Sequence, residues 1–67
     1  MSATKFIREL VAGDSIWDTN GSILDIIAIH SIKEDSTIFA ISFFNQESQE
    51  NVFNYLHGNI KVELVGA

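Results

Sequence analysis

The chain predicts a small, mainly β domain: a short N-terminal α-helix followed by a five-stranded, strongly bent antiparallel sheet that forms a small barrel. Three observations lead there. Apolar residues alternate or cluster in short runs, and these runs are separated by polar turns at Asn20-Gly21, Lys33–Ser36, Asn45–Asn51 and His57-Gly58-Asn59. With 67 residues and no repeat, linker or low-complexity stretch, residues 1–67 make one domain.

In the first element, Ala3, Phe6, Ile7, Leu10 and Val11 have the spacing of one helical face. Ser2 is placed to cap a helix over residues 3–12, and Gly13 to end it. A competing reading has a strand through Lys5 and Phe6 ending in a turn at Arg8-Glu9-Leu10. The pattern Leu10-x-x-Gly13-Asp14-x-Ile16 supports that alternative, because it resembles the opening of many SH3-like barrels. Of the two, the helix is the expectation carried forward.

A strand over Asp14–Trp17 follows, then a tight hairpin at Asn20-Gly21, where both residues tolerate positive φ. Ile23 to Ile32 is the longest apolar stretch. Strict alternation puts Leu24, Ile26, Ala28 and Ile32 on one side and Ile23, Ile27 and Ile29 on the other. Thr37 to Phe44 is apolar on both sides too, with Ile38, Ala40 and Phe44 against Phe39, Ile41 and Phe43. Strands of this kind need cover on both faces, from a bent sheet or from a neighbouring subunit. Val52–Leu56 and Ile60–Val65 are the last two strands, joined by His57-Gly58-Asn59.

That last turn carries a resemblance. Leu56, His57, Gly58 and Asn59, followed by the alternating Ile60, Val62 and Leu64, resemble the second motif of the Sm-like family, which includes the bacterial host-factor type of RNA chaperone. Tyr55-Leu56-His57 stands where the bacterial branch has Tyr-x-His. Gly21 and Leu24 match the first motif. Ile26 stands where that motif has its second Gly, and Ser31-Ile32 where it has an aromatic-Asp pair. The resemblance implies a homo-oligomeric ring without chemistry of its own that binds short single-stranded RNA, U-rich or A/U-rich. The implied RNA contacts are His57, Gly58 and Asn59, with Ser36 and Thr37 as the nearest polar substitutes for the pocket Asp and Asn that many members have. Pairing of the fourth strand with the fifth strand of the next subunit closes rings of about five to eight subunits. The implied interface residues are Val52, Phe53, Tyr55, Ile60, Val62 and Leu64.

Composition narrows the function independently. A domain of about 60 residues buries only about 60% of its unfolded surface, so small domains are commonly reinforced by disulfides, metal or self-association. Cysteine is absent, which excludes disulfides and thiolate zinc sites. Two distant His residues give no metal-site pattern, so neither metal nor cofactor is expected. Self-association is the device left, and the 46% apolar content agrees with it. His30 reads as a strand residue at a barrel edge.

The net charge of -5, with Lys5, Arg8, Lys33 and Lys61 as the only basic residues, opposes broad binding to a phosphate backbone. An RNA site here would therefore be local, built on stacking and base edges. The alternative is an SH3-like module, ring-forming or monomeric, that binds protein through exposed aromatics or its acidic surface. No nucleophile or metal-protease pattern is present, so no enzyme is expected. No apolar run approaches the roughly 20 residues of a membrane span and no signal-peptide pattern occurs, which predicts a cytoplasmic, soluble protein without a membrane partner.

Overall fold

A computed structural model describes residues 3–32 and 35–66, and for Asp35 and Ser36 the backbone alone. The fold is mainly β, and the described residues form six strands: β1 Thr4–Phe6, β2 Ser15–Trp17, β3 Ile23–Ile32, β4 Asp35–Asn45, β5 Glu50–His57 and β6 Lys61–Glu63. They form two antiparallel sheets, a four-stranded one in the order β2-β3-β4-β5 and a two-stranded one of β1 and β6. The expected single five-stranded sheet and closed barrel are not what forms. The sheets touch at a bridge between Ile16 and Leu64, beside which the Val65 N–H donates to the Ser15 carbonyl at 2.9 Å.

The expected N-terminal helix is replaced by β1 and a single 3-10 turn, Ile7–Glu9. Ile7 and Leu10 are buried as their spacing demands, but Val11 is 57% exposed, so no third turn of a helix has a core to cover. Polar groups fix the alternative. The Phe6 N–H donates to Glu9 Oε1 at 2.9 Å, and the Val11 N–H donates to Asp14 Oδ2 at 3.0 Å. Asp14 also pairs with Lys5 at 3.3 Å. Gly13 adopts φ 100°, which only glycine reaches cheaply, and from there its N–H donates to the Ile26 carbonyl at 3.0 Å. Thus Leu10, Gly13, Asp14 and Ile16 each have a structural task, as the competing strand-and-turn reading required.

The Asn20-Gly21 hairpin forms, with the Gly21 N–H donating to the Asp18 carbonyl at 3.0 Å and the Asp18 N–H to the Ser22 carbonyl at 2.8 Å. Along β3 the strict alternation breaks. The register against β4 shifts between Ile26 and Ala28, leaving Ile27 as the extra residue of a bulge, and shifts again between Ser31 and Ile32. Ile26 is therefore buried and Ile29, three residues on, packs against the same core, while Ala28 and Ile27 are exposed. In β4 the alternation holds: Phe39, Ile41 and Phe43 face the core, and Ala40 is buried from the other side, opposite His30 and Tyr55.

The core consists of Ile7, Leu10, Ile16, Ile26, Ile41 and Phe43, with Leu24, Ile29, Phe39, Leu56, Val62 and Leu64 packed around it. Burying each of the first six side chains contributes about 1.5–3 kcal/mol, and each of the partly buried ones less. The final turn is not a hairpin: β5 pairs with β4 and β6 with β1, so His57-Gly58-Asn59 carries the chain from one sheet to the other. His30 stands on β3 opposite Ala40, beyond the Ile23–Asp25 stretch that pairs with β2, and so at an open sheet edge among the described residues.

Candidate functional site

The long free edge of the molecule is β5. Eight residues, Glu50–His57, pair with β4 on one side and, among the described residues, with no strand on the other. Backbone groups alternate along an antiparallel strand, so half of its N–H groups face away from β4. Two contacts identify which half. The Gly58 N–H donates to the Thr37 carbonyl at 2.6 Å, so even-numbered positions face β4; the Tyr55 N–H donates to its neighbour's Asn54 Oδ1 at 2.9 Å, on the open side. The N–H groups of Asn51, Phe53, Tyr55 and His57 thus line the free edge.

The side chains of this strand are unusually apolar for their exposure. Val52 is 41% exposed, Phe53 56% and Tyr55 59%. Phe53 and Tyr55 share the outer face and meet edge to face, ring centroids 5.1 Å apart. Val52 and Leu56 lie on the core-side face, opposite Phe43 and Phe39. No charged side chain lies between Asn51 and Leu56.

The expected RNA-contact residues Thr37, His57, Gly58 and Asn59 do come together, at the corner where β5 leaves the sheet; the side chain of Ser36 lies outside the described part. Their local roles are architectural. The Gly58 carbonyl accepts from the Arg8 N–H at 3.2 Å, and a Cβ added at Gly58 would lie 2.7 Å from Cε1 of Phe39. His57 Nδ1 accepts from the Asn59 N–H at 3.1 Å, and Asn59 Oδ1 accepts from the Arg8 guanidinium. Of the expected interface residues, Val52, Phe53, Tyr55 and Ile60 are exposed, whereas Val62 and Leu64 are half-buried against the core.

Electrostatics at this surface follow from how few cations the chain has. Lys5 is paired with Asp14, and Arg8 and Lys61 sit over the Phe6 ring at 5.2 and 5.5 Å. At the opposite end of the sheet, an open cleft of about 250 Å³ is lined by Trp17, Gly21, Ser22, Ile23, Gln46 and Glu47. The buried Ser22 hydroxyl donates to Glu47 Oε2 at 2.8 Å and ties the two turns together. Nearby, Asp25 accepts from the Ser15 hydroxyl at 2.6 Å and from Gln46 Nε2 at 2.9 Å. These bonds, Ser15 foremost, hold its carboxyl below the usual carboxylate range.

Sequence reasoning missed Asn54, the one polar residue in the run Val52-Phe53-Asn54-Tyr55-Leu56. A lone polar residue interrupting an apolar strand was the available signal. Among the described residues no group of His, Asp and Glu is arranged to hold a metal ion, and no helix is long and apolar enough to cross a membrane. The site thus defines a class: a small, two-sheet β domain with one long, aromatic edge strand that carries no charge from Asn51 to Leu56. The chain matches no protein-family model, no curated protein and no solved structure.

Proposed function

We propose that this chain is a non-catalytic binding module that takes an extended protein segment along β5 by main-chain strand addition. The observation that carries this reading is the free edge itself: eight residues long, unbroken in register, uncharged from Asn51 to Leu56 and flanked by exposed Val52, Phe53 and Tyr55. Strand addition satisfies the outward N–H groups, and alternate side chains give selectivity. The SH3-like expectation is the closer of the two, given the work done by Leu10, Gly13, Asp14 and Ile16.

A second reading, the Sm-like ring that binds short single-stranded RNA, has one observation in its favour. Thr37 and His57–Asn59 converge next to the exposed Phe53 and Tyr55 rings, on which bases could stack. The engaged state of Lys5, Arg8 and Lys61 weighs against it, since phosphate contacts need available cations.

Amide spectra of the labelled chain, titrated at low salt with oligo-U and separately with a short extended peptide of alternating Val and Thr, decide between them. Saturable shifts at Asn51, Phe53, Tyr55 and His57 with peptide alone support strand addition. Saturable binding of oligo-U that Tyr55→Ala and His57→Ala abolish supports the RNA reading and overturns the first.

A further inference from the structure

Resting on that reading of β5, we propose that the segment it takes is β5 of a second copy, antiparallel, about a two-fold axis that passes at Asn54. The two four-stranded sheets then become one continuous sheet.

Geometry restricts the possible pairings. An antiparallel pair related by a two-fold axis perpendicular to the sheet keeps outer face with outer face, so residues opposite each other must be both odd or both even. The axis therefore passes at a residue. At Asn54, Phe53 lies opposite the partner's Tyr55, Val52 opposite the partner's Leu56, and Asn51 opposite the partner's His57. Each outward N–H of Asn51, Phe53, Tyr55 and His57 then meets a carbonyl of the partner, since odd positions face the open side. The edge-to-face pair of Phe53 and Tyr55 becomes a cluster of four rings on the outer face. Shifting the axis to Phe53 sets Val52 against Asn54 and Tyr55 against Asn51, and apolar groups lose apolar partners. Shifting it to Tyr55 leaves Asn51 beyond the paired segment.

The rest of the molecule points to β5 as its own complement. Among the described residues the other free edges are β1, three residues long, and the end of β3 beyond Ile26, which β2 does not reach and which is broken by the shifts at Ile27 and at Ser31/Ile32; β6 is flanked by β1 on one side and bridged to β2 on the other. Among the described residues β5 is the longest open edge unbroken in register, and another β5 matches Asn51–His57 residue for residue. Charge agrees: two copies at -5 each repel, and this contact is made at a segment that carries no charge from Asn51 to Leu56. The usual protections of an edge strand, Lys, Pro or a bulge, are absent from β5, although β3 of the same sheet has two register shifts. Asn54 caps the edge in the single chain by accepting from the Tyr55 N–H, a bond that pairing replaces with a main-chain one.

The experiment is mass and cross-linking on the full chain. Light scattering over a dilution series should give two chains at high concentration, falling to one, with Tyr55→Lys a single chain throughout and its circular dichroism unchanged. Asn54→Cys, in a chain with no other Cys, should form an interchain disulfide under mild oxidation. Its Cα would face its counterpart at about 4.5 Å across a non-hydrogen-bonded pair, within disulfide reach. A mass of one chain at every concentration overturns the proposal. So does a larger discrete ring in which Ile60→Cys, and not Asn54→Cys, cross-links. A single-chain mass with peptide-induced shifts along β5 removes the symmetric pair and leaves strand addition standing. A single-chain mass with no such shifts removes both.

Discussion

β4 and β5 lie side by side, paired residue for residue from Ile38 opposite His57 to Asn45 opposite Glu50, and both are rich in apolar side chains. Yet Ala40, Ile41 and Phe43 are at most 3% exposed, while every residue of β5 except Leu56 is exposed. The difference is one of neighbours. β4 has a strand on each side and the first turn beneath it; among the described residues β5 has a strand on one side only. Apolar content thus makes a strand able to be buried, and position in the sheet decides whether the single chain does it.

The comparison can be broken hardest at its buried end. Ile41→Ala removes a fully buried side chain and should cost about 2–5 kcal/mol in urea unfolding. The matching truncation next door, Phe53→Ala, should stay within about 1 kcal/mol for the dilute single chain, because its ring is already solvated there. Equal losses at the two positions would show that β5 is buried in solution.

Gly58→Ala tests the corner where the two strands part. The new methyl meets the Phe39 ring, and overpacking of this kind should cost about 1–3 kcal/mol. An unchanged midpoint would mean that the ring yields freely.

The smallest effect sharpens the comparison from the far side of the sheet, on β3, where Asp25 sits opposite Phe44. Its carboxyl is held low in the folded chain, so the stability it adds is present above the ordinary carboxylate pKa and is lost as pH falls through the lower folded value. Ser15→Ala, which removes the leading cause, should move the Asp25 titration toward the ordinary range, read from its side-chain carbonyl shift. The shift should be larger than that from Gln46→Ala.

Much of the fold was legible where one residue type has one local use. Asn20-Gly21 gave its hairpin, the polar run Asn45–Asn51 gave the β4–β5 turn, and Leu10, Gly13, Asp14 and Ile16 supported the strand-and-turn opening. The N-terminal helix failed because Ile7 and Leu10, three residues apart, are buried equally well by one 3-10 turn, and the Glu9 and Asp14 carboxylates that select it act outside the apolar pattern. The bulge at Ile27 was invisible because Ile occupies positions 26, 27 and 29 alike. At the site, apolar alternation found Val52, Phe53 and Tyr55. It also grouped them with Val62 and Leu64, which belong to the core, since a turn signal says that the chain reverses and not which strands then pair.

The pairing of β1 with β6 has a mechanical consequence. Thr4 stands opposite Glu63 and Phe6 opposite Lys61, so the polypeptide enters and leaves this body side by side. Tension applied through the two ends pulls those strands apart like a zipper, rung after rung, instead of shearing all rungs at once. Load at the C-terminal side first meets the bond of the Val65 N–H to the Ser15 carbonyl and the Ile16–Leu64 bridge, then the three-rung clasp, and then the bond of the Ile7 N–H to the Ile60 carbonyl, whose loss draws the fully buried Ile7 out of the core. The four-stranded sheet is thus loaded at β2 from the outset, and its β3, β4 and β5 strands feel the load last.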